Sequence, residues 1–334
     1  MKRFLAVLAF AASACGTGAQ SAPASSPYGD VLARQAGAPV IAGQDGWLHL
    51  PADLRFLSVG PFWGEAAIDA GVSFNPAYRD PLEPIDDFNR QLTDLGIKLL
   101  VVPVPPKAAI HPESLGLTRA DAEAALAPLR AFLSELRERG VSVLDLAASF
   151  GSAPEGGAWY CRTDSHWSGA GIRRAADEIL AWLDAEQLRP ALTGTVAWTR
   201  APKEVSFVGD LSVLQKSSAT ETITLDVLSG AEPVTALDSP ILLMGDSHTL
   251  VFHAGGDMHA SGAGLADQLA AALGRPVDVA GVRGSGATAS RLALMRRMKT
   301  DPAYIKGKRV VIWCFAAREF TQADAWRFVP LPIQ

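Results

Sequence analysis

Two short segments of the 334-residue chain hold residue types that together can do nucleophilic chemistry. The first is Thr163-Asp164-Ser165-His166-Trp167. The second is Ile241-Leu242-Leu243-Met244-Gly245-Asp246-Ser247-His248. A neutral serine hydroxyl is a weak nucleophile and needs a base within hydrogen-bond reach. Asp164 and His166 are two residues apart, so on an extended stretch both point to the same side. The carboxylate can then fix the imidazole tautomer and stabilise its positive form, leaving the other ring nitrogen to take a proton from serine. The alternative is a turn in which Asp164 caps the following helix and His166 is a surface residue. In the second segment an apolar strand runs into Gly245, which allows a tight turn, and then into Asp246-Ser247. A helix starting just after Ser247 would point its N–H groups at a developing oxyanion. The alternative is a Ser or Asp that only caps a strand–helix corner. Ser247, His166 and Asp164, offered by two loops of one sheet, make a coherent triad, because triads are defined by roles and not by chain order.

Positioning these groups requires a sheet with its loops at one end. Apolar residues Ile85, Phe88, Leu92 and Leu95 recur at helical spacing over 84–95, with Pro84 suited to the first helical position and Gly96 closing the helix. Residues 98–104 (KLLVVPV) form a continuous apolar run fitting a buried strand. A long amphipathic helix is predicted over 120–139, then a strand over 141–146 and a helix over 169–185. An irregular stretch follows, strand-like at 196–199 and 222–228. A second alternating run has strands at 241–244, 277–282 and 310–315, with helices at 265–273 and 287–298. Strands alternating with helices imply an α/β fold with a parallel sheet covered on both faces. Serine at the carboxyl end of such a strand lies where open α/β sheets place their sites.

Composition limits the alternatives. The chain is 49% hydrophobic and 19% charged, which excludes a disordered chain, a coiled coil and a collagen-like fibre. The 30 Lys and Arg against 35 Asp and Glu give a net charge of −5. Basic residues cluster only in pairs, Arg173-Arg174, Arg296-Arg297 and Lys308-Arg309, expected on a solvated surface, so nucleic acid is not an expected partner. Lys2 and Arg3 precede an apolar stretch from Phe4 to Ala14 and then small residues, the order of a secretory signal. Residues 1–21 are assigned to this signal, 22–40 to a tether and 41–334 to one catalytic domain. Cleavage after Ala14 or near Ala19-Gln20-Ser21 competes with lipidation of Cys15. Removing Lys2 and Arg3 leaves 28 basic against 35 acidic residues, a net −7.

Gly-Asp-Ser on a strand end resembles the SGNH hydrolase superfamily, in which the Asp and His normally follow the serine. Here Asp-x-His comes first, and that order resembles the alginate O-acetyltransferase family of AlgJ/AlgX-like proteins, with a permuted SGNH-like fold. Further segments share its pattern. They are Gly43-Gln44-Asp45-Gly46-Trp47-Leu48, Val101 to Lys107, Trp159-Tyr160, and Val310 to Trp313 followed by Arg318-Glu319-Phe320. The resemblance spans roughly 40–322. It implies Ser247 as nucleophile, His166 as base and Asp164 as its orienting acid. The Ser247 N–H would be one oxyanion donor, and Gly284 or Gly286, from the loop after the next strand, a second. The hydrolases' Gly-x-Asn block is absent. Arg318 takes part of that role, binds substrate, or forms a structural salt bridge with a sheet-edge carboxylate.

By the same resemblance the protein is a periplasmic O-acetyltransferase that moves acetyl through a serine acyl-enzyme to hydroxyls of an exopolysaccharide. The acetyl comes from a membrane-bound O-acyltransferase partner, and no cofactor need bind this domain. With the chain ending soon after its last strand, the architecture is expected to be nearer AlgJ than AlgX and its C-terminal carbohydrate-binding module. The alternatives are a carbohydrate acetylesterase of the same fold and a non-catalytic polysaccharide-binding component of a secretion system. His248 is expected in the wall of the site. His253 and His259 lack the spacing and carboxylate of a metal cluster with it, so no metal is expected. Lys107 is expected at the surface, with a substrate carboxylate as the alternative partner. Cys161 and Cys314 either bridge in an oxidising compartment or remain free buried thiols.

Overall fold

A computed structural model describes residues 26–151, 154 and 157–332. The assigned signal segment and Cys15 lie outside them. Nine strands are described. A short antiparallel pair, β1 (Ile41–Ala42) and β2 (Leu48–His49), precedes the main sheet. That sheet contains β3 (Lys98–Val104), β4 (Ser142–Val143), β7 (Ile241–Gly245), β8 (Asp278–Gly281) and β9 (Val310–Ala316) in the order β4-β3-β9-β7-β8. Every pairing in it is parallel. An antiparallel ribbon of β5 (Thr199–Phe207) and β6 (Glu221–Ser229) stands apart from it.

The centre of the sheet is built from the most continuous apolar runs. Every residue of β7 and β9 is buried, as is all of β3 after Lys98. Helices shield both faces of a parallel sheet, so its strands read as unbroken Val, Ile and Leu with no polar alternation. Each Leu or Ile so enclosed contributes about 1.5–3 kcal/mol of burial free energy. The covering helices sit close to the predicted spans: Leu82–Asp94, Arg119–Glu138, Gly169–Ala185, Leu265–Leu273 and Thr288–Thr300. Arg119–Glu138 starts with a reciprocal cap, in which Thr118 and Asp121 satisfy each other's backbone N–H.

Several expectations are corrected. Residues 27–40 are part of the folded body, not a tether. Pro27–Arg34 is a helix whose Tyr28 and Val31 are in the core, and the Tyr28 hydroxyl donates to the Ala108 carbonyl at 3.0 Å. Ser26 caps this helix through the Gly29 N–H, so the Ser-Pro pair that resembles a linker is a helix start. The strand predicted at 141–146 pairs only at 142–143 because Asp145 caps a short helical turn, Leu146–Ser149. The Lys308-Arg309 pair is only partly a solvated surface. Lys308 is buried and donates to Asp278 at 2.7 Å and to the carbonyls of Leu237 and Ser239. Arg297 joins the same carboxylate at 2.8 Å.

Candidate active site

The turn after β7 is set by contact with the central strand. A Cβ on Gly245 would lie 1.6 Å from the Cys314 carbonyl oxygen, so only glycine lets β7 end this close to β9. Asp246 then anchors the turn. One of its oxygens accepts from the His248 N–H at 2.9 Å and faces His248 Nδ1 at 3.1 Å. The other accepts from the Ala316 N–H at 2.8 Å, at the end of β9. Asp246 is therefore a cap, and Ser247 stands beside it partly exposed. The helix expected directly after Ser247 is a single tight turn, Ser247–Thr249, and the next regular helix starts at Leu265. Individual N–H groups, not a helix macrodipole, are what this turn offers an oxyanion.

Asp164 and His166 meet Ser247 from the other side. His166 Nε2 is 2.7 Å from Ser247 Oγ, and His166 Nδ1 is 2.6 Å from an Asp164 oxygen. The connecting stretch is a bend, not an extended segment: the same Asp164 oxygen also accepts the His166 backbone N–H at 3.0 Å. The following helix is capped by Ser168, which leaves Asp164 to the histidine. Asp164 is fully buried and its second oxygen accepts from the Asp210 N–H and faces His259 Nε2, both at 2.8 Å.

Burial alone would raise the Asp164 pKa. The charge and hydrogen bond of His166, with the bonds from His259 and Asp210, overcome it and hold this carboxyl well below its ordinary range. Burial likewise disfavours charged His166, but the Asp164 carboxylate outweighs it and leaves the imidazole pKa raised. For His248 burial wins over Asp246, and its pKa is lowered. The two rings lie 4.9 Å apart, so Ser247 has one basic imidazole and one kept neutral beside it. With Nδ1–H held by Asp164, the Nε2 lone pair of His166 faces the Ser247 hydroxyl, the arrangement general-base activation of serine requires.

Gly284 is exposed at φ 83°, in the region that favours glycine, at the tip of the loop after β8. Gly286 is buried, and its N–H is directed to the Glu319 carboxylate at 3.2 Å. A Cβ on Gly286 would meet Phe315 at 2.3 Å and Asp246 at 3.1 Å, so its smallness lets this loop lie against the nucleophile turn. Arg318 pairs with Asp53 at 3.2 Å, a carboxylate on the helix Pro51–Ser58 and not on a sheet edge. Lys107 is buried, not at the surface. Its ammonium donates to the carbonyls of Arg162 and Asp164 at 2.8 and 2.9 Å and lies over the Trp47 ring. It thereby holds the loop that carries the acid and base, while burial lowers its pKa to about 8.

His253 pairs with Asp267 at 2.8 Å, away from any shared centre with His248. Among the described residues, the donor atoms of Asp164, His166 and Asp210 lie within 4.8 Å of one another. These donors already have partners, with His166 Nδ1 facing Asp164 and Asp210 accepting from Ser165, so the site fits a hydrogen-bonded relay better than a metal centre. Cys161 and Cys314 are free and buried. Sequence reasoning missed Asp210 and the contact of His259 with Asp164. Gly209-Asp210 after the apolar pair Phe207-Val208 was the available signal for the former.

This geometry defines an α/β protein with a serine just past the carboxyl end of a parallel strand, met by a histidine and an aspartate from a separate loop. The profile described as "SGNH hydrolase-like domain, acetyltransferase AlgX" matches residues 40–317, and the chain belongs to that family. A protein described as "Probable alginate O-acetylase AlgJ" from Pseudomonas aeruginosa is 28% identical over 174 residues, 52% of this chain and 40% of that protein. Its counterpart in Pseudomonas syringae pv. tomato is 29% identical over 141 residues, 42% of this chain and 32% of that protein. The matches thus span less than half the length of these curated relatives. Among solved structures, the O-acetyltransferase domain of Pseudomonas putida AlgJ superposes with a TM-score of 0.63 at 21% identity, covering 84% of this chain and 92% of that one. Pseudomonas aeruginosa AlgX superposes at 0.61 and 20% identity, covering 85% and 66%. The SGNH-like fold is therefore shared with both.

Proposed function

We propose that the protein is a periplasmic O-acetyltransferase acting on hydroxyl groups of an exopolysaccharide, with Ser247 as the acetyl carrier. The observation that carries this reading is the unbroken line from Ser247 Oγ through His166 to Asp164, at 2.7 and 2.6 Å, in a chain of an acetyltransferase family. In the first half-reaction His166 Nε2 takes the Ser247 proton as Oγ bonds to the acetyl carbon. The bond from that carbon to the donor then breaks, and His166 returns the proton to the departing group. In the second, a sugar hydroxyl attacks the acetyl carbon and gives its proton to His166. The Ser247–acetyl bond breaks and Ser247 is reprotonated. Asp164 stays ionised throughout and stabilises the imidazolium. The Ser247 N–H is a candidate oxyanion donor, with Gly284 and Arg318 as further candidates. Export follows from the assigned signal at 1–21, and a membrane-bound O-acyltransferase is the proposed acetyl supplier.

The partial exposure of Ser247 favours one second reading, an esterase in which water replaces the sugar. Purified protein incubated with p-nitrophenyl acetate, with and without oligosaccharides, separates the two. Transfer predicts acetylated oligosaccharide by mass spectrometry and a release rate that responds to the sugar. Hydrolysis indifferent to every sugar offered supports the esterase.

A further inference from the structure

His259 sits 95 residues from Asp164 in sequence and is absent from the motifs that locate the triad. Its Nε2 nevertheless lies 2.8 Å from the Asp164 oxygen that His166 does not use. Three features hold the ring there. It stacks on Phe207 with centroids 4.2 Å apart and planes 22° from parallel. Phe252 packs beside it at 5.9 Å. The side chain is almost enclosed, at 11% exposure. The backbone adds the most informative sign. His259 has φ 70° and ψ −46°, a conformation that costs a non-glycine residue and persists only where the surroundings impose it. Glycine at this position would relieve the strain and lose the ring.

We infer that His259 is a positioning residue for the proposed reaction, donating from Nε2 to Asp164 so that the carboxylate stays oriented toward His166. The inference rests on the reading of Ser247, His166 and Asp164 as nucleophile, base and orienting acid. His259 belongs to the segment that follows the nucleophile turn, whereas Asp164 and His166 belong to the loop held by Lys107. One hydrogen bond therefore ties the two halves of the site together. The Asp210 N–H, next to the end of the strand that carries Phe207, supports the same oxygen.

The role has a signature in pH. A donor on Asp164 draws negative charge away from His166, so removing it makes the dyad hold its proton more tightly. The other charged or titratable groups around the pair are Asp210, Asp246 and His248, with Lys107, Glu221 and Cys161 behind the loop. All of these stay in place when His259 is changed.

The test is the pH profile of p-nitrophenyl acetate hydrolysis by the full chain carrying His259→Gln, His259→Phe or His259→Ala, with Ser247→Ala as reference. Gln restores a donor, while Phe retains the stack on Phe207 without one. Phe and Ala are expected to lower kcat/KM about 10- to 100-fold, the worth of one hydrogen bond to a buried charge. Their acid limb is expected to move to higher pH by roughly half a unit to one unit. Gln should stay near wild type in both. A Phe variant that matches Gln overturns the inference, as does a loss of rate in Phe and Ala with an unmoved acid limb. Turnover by Ser247→Ala would instead remove the triad reading on which the inference stands.

Discussion

Replacing Asp164 by Asn tests the relay at its most enclosed point. Asp164 accepts four N–H groups, two on each oxygen. Each oxygen faces one backbone donor, from His166 or Asp210, and one imidazole. An asparagine has one acceptor oxygen, so in either orientation its NH2 group abuts a backbone N–H that cannot turn away. Leaving a buried donor without an acceptor costs about 1–3 kcal/mol of stability. If the NH2 group faces His166, the ring must give up its Nδ1 proton, and Nε2 then carries hydrogen toward Ser247 and cannot act as base. Loss of the charge-assisted bond alone lowers the rate by roughly 10- to 100-fold. The wrong tautomer extends this to about 10⁴-fold, as in serine hydrolases that lose the same carboxylate. Losing Asp164 also lets burial dominate His166, so the acid limb of the residual rate should move to lower pH, opposite to the shift expected for His259→Phe. The assay is p-nitrophenyl acetate hydrolysis from about pH 5 to about pH 9, with urea unfolding of the same samples. A variant within about threefold of wild type at every pH would refute the assigned role of Asp164.

Three further outcomes follow from the packing. Gly245→Ala should lose roughly 3 kcal/mol or more in urea unfolding, because its Cβ would overlap the Cys314 carbonyl and force β7 from β9; a loss under about 1 kcal/mol would contradict this. Glu319 has its pKa raised from 4.5 to about 7, first by burial and then by the Asp246 charge. A raised folded pKa gives stability that is full below the unfolded value and lost as pH rises to about 7, a slope worth about 3 kcal/mol that Glu319→Gln should flatten in unfolding curves taken across that window. The Cys161 and Cys314 thiols are buried with raised pKa values, so a disulfide-exchange reagent should label neither in the native protein and both in denaturant.

The parts of the fold written as uninterrupted apolar runs were legible in the sequence: β3, β7 and β9 fall within a residue of their predicted spans. So were the chemical groups two residues apart, because local spacing brings Asp164 and His166 together whether the backbone is extended, as expected, or bent, as observed. What escaped depends on contacts distant in sequence. Lys107 reads as a surface lysine until two carbonyls from 55 and 57 residues away enclose its ammonium. His259 reads as an isolated histidine because its partner is set by a strained turn and by the ring of Phe207. The 27–34 helix was hidden by its Ser-Pro start, which resembles a linker until Tyr28 finds the Ala108 carbonyl.

If acetyl passes through Ser247, the serine carries it as an ester that can be trapped. Wild-type protein and Ser247→Ala, each exposed briefly to p-nitrophenyl acetate, quenched in acid and digested, can be compared by peptide mass spectrometry. The wild type should carry one acetyl group on Ser247 and the corresponding peptide of the variant none, and the label should be lost when an acceptor oligosaccharide is added before the quench. An unlabelled Ser247 during steady turnover, or full turnover by Ser247→Ala, would contradict passage of acetyl through Ser247.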